Sequence, residues 1–141
     1  MENENLNLDQ FRFKQKIQVR YADLYTMGHV NNATYLSYLE QGRIAYFENV
    51  VNFDKSKLDF GFVVARIEID YLTSIELDDE IELYVKCSRI GNKSADFETI
   101  IVKNNQTMCC SSKVVIVAVD QSGKSVSISE AWKRDIMQFE K

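Results

Sequence analysis

Proline is absent from this chain of 141 residues, and glycine occurs only five times. Without proline, nothing forbids long and continuous strands. Histidine occurs once, at position 29, with no cluster of ligand residues around it, so no metal site is expected. Cys87, Cys109 and Cys110 form an odd set with no C-x-x-C spacing. They are expected to be buried, reduced thiols of a cytoplasmic protein, with Cys109 and Cys110 on opposite faces of one strand. No apolar run approaches the roughly 18 residues of a membrane span. The start, Met1-Glu-Asn-Glu-Asn-Leu6, is acidic and polar, unlike a signal peptide. Net charge is −4, without long blocks. That argues against a nucleic-acid partner, because phosphate binding needs clustered Lys and Arg.

What remains is an ordinary globular composition, 45% hydrophobic and 27% charged. The length suits one domain with a real core, 1–141, in which residues 1–9 are a loose end. Phe11 to Tyr21 alternates, with apolar residues on odd positions, and predicts a half-buried strand. A helical pattern follows from about Asn32 to Val50, with Tyr35, Leu39 and Tyr46 on one side and Asn31 or Asn32 as a natural N-cap. Residues 52–61 read as a polar loop with at most one helical turn. Four strand-like runs come next: Val63–Tyr71, Ile81–Ser88, Ser94–Lys103 turned at Asn104-Asn105, and Thr107–Val119. A short helix over Glu130–Phe139 closes the chain. One long helix followed by four antiparallel strands is an α+β plan, and the even turn spacing predicts a meander.

The densest information lies in residues 19–43, VRYADLYTMGHVNNATYLSYLEQGR, which run from strand through turn into helix. The turn resembles the Asp-x-x-Gly-His-Val-Asn-Asn segment of hotdog-fold thioesterases of the 4-hydroxybenzoyl-CoA thioesterase family. Phe62–Arg66 with Ile69–Leu72, Leu77–Ile81 and Arg89–Ser94 resemble further segments of the same family, in the same order. The resemblance implies a hotdog fold, in which a curled antiparallel sheet wraps one long central α-helix. It also implies an acyl-CoA thioesterase without a cofactor. The assembly would be a homodimer or homotetramer, with active sites at the dimer interface. Fatty and aromatic acyl groups, on CoA or on an acyl-carrier protein, all stay open as substrates. So does a weak or inactive protein that only binds acyl thioesters or serves as a structural dimer.

The departure from the pattern is Tyr25, which stands where the family carries its catalytic aspartate. Tyrosine ordinarily titrates near about 10, so it offers a neutral donor where a carboxylate would accept a proton. Losing a base typically costs about 10² to 10⁴ in rate. By alignment, the oxyanion would be held by the backbone N–H of Asn32 at the helix start, which needs no particular side chain. Glu40 on the helix and Asp23 two residues before Tyr25 are the candidate replacement carboxylates. Each has a plainer reading: Glu40 as an ion-pair partner of Arg43, Asp23 as a turn residue. His29 reads as an acid–base group or as a turn-shaping donor. Asn31 and Asn32 read as cap residues or as water-positioning amides. Tyr35 reads as core or as acyl-channel lining. The resemblance points to Arg89, Lys93 and Ser94 as contacts for the CoA phosphates, and their plainer reading is a solvated turn.

Overall fold

The computed structural model describes residues 7–52 and 59–141. Its elements are β1 (Phe13–Ile17), a single 3-10 turn (Tyr21–Asp23), α1 (Thr34–Val50), β2 (Gly61–Tyr71), β3 (Ile81–Ile90), β4 (Ser94–Lys103), β5 (Thr107–Val119) and α2 (Glu130–Phe139). Most of the expected loop over 52–61, and residues 1–6 of the expected loose end, lie outside the described residues. No helix among the described residues is long and apolar enough to cross a membrane.

The five strands form one antiparallel sheet in the order β1-β3-β4-β5-β2. The expected meander is therefore correct only for β3–β5. β2 joins the far edge, beside β5, because the connection after it folds back: the amides of Leu72 and Thr73 both donate to the Cys109 carbonyl. The turn between β4 and β5 uses Asn104 and Asn105 at φ +55° and +60°, a left-handed conformation that Asn tolerates.

α1 lies in the curl of this sheet, the hotdog arrangement. Tyr35, Tyr38, Leu39, Gly42, Arg43 and Tyr46 face inward. Gly42 permits the closest approach: a Cβ there would meet Leu83 Cδ1 at 2.9 Å and Val85 Cγ2 at 3.2 Å. Tyr46 is packed edge-on against Phe13, Phe97 and Phe139. Its hydroxyl donates to Glu140 Oε2 at 2.5 Å, and the Cys87 N–H donates to the same oxygen at 2.8 Å. The Glu140 side chain thus ties α1 to β3 just beyond the last β1–β3 pair, Phe13–Val85.

Two strand expectations need correcting. β1 is shorter than Phe11–Tyr21, because the chain leaves the sheet for the 3-10 turn, although Phe11 and Val19 are buried on the expected face. β2 does not bury one face in the expected alternation: Val63, Val64, Ile67 and Tyr71 are all exposed. The physical reason is that α1 packs mainly over β1, β3 and β4 and leaves much of β2 uncovered. All three cysteines are free and buried. Desolvation pushes the Cys87 and Cys110 thiols up to about 12 and the Cys109 thiol up to about 11, so none is an activated nucleophile.

Candidate active site

Between β1 and α1 the chain makes a tight three-residue hairpin. The Gly28 N–H donates to the Tyr25 carbonyl at 2.9 Å, and the Tyr25 N–H donates to the His29 carbonyl at 3.0 Å. Gly28 sits at φ +87°, the left-handed position this loop type requires. The returning arm is fixed on both sides. Leu24 pairs with Val30, His29 pairs with Glu76, and the Val30 N–H donates to the Ile75 carbonyl. Within the Gly-His-Val-Asn-Asn motif, His29 and Val30 are therefore held by isolated bridges just before the start of α1.

The helix start is built by Asn31. Its Oδ1 accepts the Ala33 N–H at 2.9 Å, and its carbonyl accepts the Thr34 N–H. Asn31 thus shapes the turn leading into α1, but the expected Asn31 or Asn32 N-cap needs correcting: the helix opens two residues later than predicted, at Thr34, and its N-cap position is Ala33, with no side-chain cap. The Tyr71 hydroxyl, from the end of β2, donates to the Asn32 carbonyl at 3.0 Å, and the Tyr71 ring packs edge-on against Tyr35. Among the described residues, no protein acceptor takes the Asn32 N–H. It is an unpaired donor at the positive end of a 17-residue helix.

These groups border an open cavity of about 480 Å³, lined by Tyr25, His29, Asn31, Asn32, Tyr35 and Tyr71 among others. The structure thus gathers five of the expected site residues around one space. Burial pushes the Tyr35 hydroxyl up to about 12, so it remains a neutral donor. Tyr25 is 43% exposed at the mouth, its ring 6.0 Å from that of His29. Among the described residues, no Asp or Glu lines the cavity.

The two candidate carboxylates lie elsewhere. Asp23 is 2% exposed and fully engaged. Oδ2 accepts the Tyr38 hydroxyl at 2.7 Å and the Arg20 N–H at 2.9 Å, while Oδ1 accepts the Arg20 guanidinium. Burial alone would raise its carboxyl, but the Arg20 and Tyr38 bonds outweigh that and hold it below the usual range. Such a group is a structural tie between turn and α1. Glu40 is exposed on α1, seven residues before Phe47 and so on the same side of the helix. Further along that side, Phe47 packs in an aromatic cluster with Phe62, Phe97 and Trp132. Arg43, beside it, is buried, and desolvation lowers its guanidinium against the opposing pull of Glu40.

Arg89 and Ser94 meet, with Nη2 of Arg89 2.9 Å from the serine Oγ, but the guanidinium also donates to Asp96 at 2.8 Å, and Lys113 flanks the same carboxylate. Lys93 is exposed at the tip of the turn. This basic corner is far from the cavity within one chain. Ser94 aligns with Val117 and Val63, whereas Tyr71 aligns with Cys110. Eight residues of β2 separate the two rows, roughly 26 Å. Sequence reasoning missed Tyr71 and Glu76. Only the long-range pairing of β2 and of the loop after it brings them to the site.

Comparison with known proteins agrees with this geometry. The model of the thioesterase-like superfamily matches residues 19–136. Uncharacterized protein YsmA of Bacillus subtilis is 32% identical over 128 residues, 90% of this chain and 86% of that protein. Acyl-CoA thioesterase YbgC of Haemophilus influenzae is 30% identical over 116 residues, 79% of this chain and 83% of that protein. A Thermus thermophilus thioesterase, solved with coenzyme A and zinc, superposes with a TM-score of 0.81 at 33% identity, covering 94% of this chain and 96% of the other. The chain belongs to the thioesterase-like superfamily.

Proposed function

We propose that this protein is an acyl-CoA thioesterase that acts as a homodimer. The observation that carries the reading is the unpaired Asn32 N–H at the start of α1, opening on a cavity with tyrosine and amide walls. A thioester carbonyl placed there would develop its negative charge against a preorganised donor and the positive end of the helix. Water adds to the carbonyl carbon, the oxyanion rests on the Asn32 N–H, and the C–S bond breaks to release the CoA thiol. Asn31, Tyr35 and Tyr71 hold the carbonyl end of the substrate. Asp23 is committed to Arg20 and Tyr38, so it takes no part in the proton transfer. Glu40 remains a candidate only from a second copy.

The dimer follows from the edge. β2 is 11 residues long, carries Val63, Val64, Ile67 and Tyr71 exposed, and has an unpaired side. Such an edge invites another strand. A twofold axis would pair two β2 strands antiparallel and set the start of one beside the end of the other. The corner of Arg89, Lys93 and Ser94 from one copy would then approach the cavity of its partner, where it can take the phosphates of CoA. That arrangement resolves the roughly 26 Å separation within one chain.

Tyr25 supports a second reading, in which the protein binds acyl thioesters with little turnover. Steady-state release of CoA thiol from acetyl-, hexanoyl-, palmitoyl- and benzoyl-CoA separates the two. The thioesterase reading expects turnover by the wild type on at least one of them. Silence on all four, together with turnover by Tyr25→Asp, would establish the binding-only reading.

A further inference from the structure

We propose that His29 is the group that activates water in this site, and that Glu76 orients its imidazole. The inference rests on the thioesterase reading and supplies the base that Tyr25 cannot. Among the described residues, none that lines the cavity is a carboxylate, and His29 is the one lining side chain with an imidazole nitrogen to accept a proton.

The pair is built by backbone register, not by chance contact of long side chains. His29 and Glu76 are directly opposite in an antiparallel bridge, and the adjacent Val30 N–H donates to the Ile75 carbonyl at 2.8 Å. Residues opposite one another in such a pair project to the same face a few ångströms apart. His29 Nε2 lies 3.7 Å from Glu76 Oε1, an ion-pair separation that tightens readily to a hydrogen bond. The turn bearing Glu76 is itself held. Asp79 accepts the Glu76 N–H at 2.8 Å, the Asp79 N–H donates back to the Glu76 carbonyl, and Lys103 donates to the Ser74 carbonyl. From the other side, the Tyr25 ring stands against the imidazole.

With Nε2–H directed at Glu76, Nδ1 is left as the acceptor. Water gives its proton to Nδ1 as its oxygen bonds to the thioester carbonyl carbon, and the carbonyl electron pair moves to the oxygen facing the Asn32 N–H. Collapse of the adduct breaks the C–S bond, and the imidazolium returns the proton to the departing thiolate. The products are a carboxylic acid and CoA thiol, and His29 ends neutral. Glu76 touches no reacting atom. It is a positioning residue that fixes the tautomer and stabilises the imidazolium.

The experiment measures kcat and KM against pH for wild type, His29→Ala and Glu76→Gln on the best acyl-CoA, with folding followed by thermal melting. Both side chains of the pair are substantially exposed, so these variants should fold. The charged or titratable groups standing against His29 are Glu76 and Tyr25. The expected result has four parts. Wild-type kcat/KM falls on the acid side in the imidazole range and not in the carboxylate range. His29→Ala lowers kcat by about 10² to 10⁴ with little change in KM. Added imidazole restores part of the His29→Ala rate. Glu76→Gln lowers kcat several-fold with little change in KM, because the imidazole loses the group that orients it. An active wild type with a folded, fully active His29→Ala would overturn the assignment and leave the thioesterase reading standing. A wild type silent on every acyl-CoA would overturn both.

Discussion

Tyr38→Phe removes one hydroxyl and no packing volume, and it isolates the tie between the turn and α1. Tyr38 is almost fully buried, and its hydroxyl donates to Asp23 Oδ2 at 2.7 Å. A hydrogen bond to a charged group is worth about 1.5–3 kcal/mol. Asp23 keeps its bonds from the Arg20 amide and guanidinium, so the lower half of that range applies, about 2 kcal/mol. For a domain of this size, that lowers Tm by roughly 5–10 °C. The pH dependence supplies a sign. The folded Asp23 carboxyl titrates below its ordinary value, so its contribution is fully present above the unfolded pKa and is lost as pH falls through the folded one. The difference between wild type and Tyr38→Phe should therefore be largest at neutral pH and shrink on acidification toward the range where Asp23 protonates. Thermal melts of both proteins from neutral pH down to that range provide the assay. A Tm difference under about 1 °C at neutral pH, or one that grows on acidification, would refute the reasoning.

Glu140→Ala should leave the Tyr46 hydroxyl and the Cys87 N–H without their shared acceptor and destabilise by about 2–4 kcal/mol, read in urea denaturation. Gly42→Val should cost about 1–3 kcal/mol by forcing α1 away from Leu83 and Val85, seen as a lower denaturation midpoint with an unchanged slope. Ile67→Lys, at the centre of the unpaired β2 edge, should shift the protein from dimer to monomer in sedimentation and reduce thioester turnover at micromolar concentration.

Much of the architecture was legible because it is local. The alternation in Ile81–Ser88, the strand run Ser94–Lys103 and the helical spacing of Tyr35, Leu39 and Tyr46 depend on neighbours in sequence, and all appear as expected. α2 coincides with the predicted Glu130–Phe139. The position of β2 was not legible, since nothing in Val63–Tyr71 says whether β3 or β5 lies beside it. At the site, Asn31, Asn32, His29 and Tyr25 line one cavity because they lie close together in sequence. The partner of Asp23 was hidden, because Tyr38 looks like any core aromatic of a helix. Tyr71 and Glu76 were hidden more deeply. Their roles arise from a hydroxyl reaching Asn32, 39 residues away, and from a backbone bridge to His29.

The proposed division of labour at the site, in which the Asn32 backbone N–H holds the oxyanion and position 25 supplies no carboxylate, is tested most directly by Asn32→Pro. Proline removes the one N–H assigned to the oxyanion and is tolerated near the start of a helix. With folding confirmed by melting, kcat for the best acyl-CoA should fall by about 10² to 10³ while KM changes little. A folded Asn32→Pro protein with wild-type kcat would contradict the account.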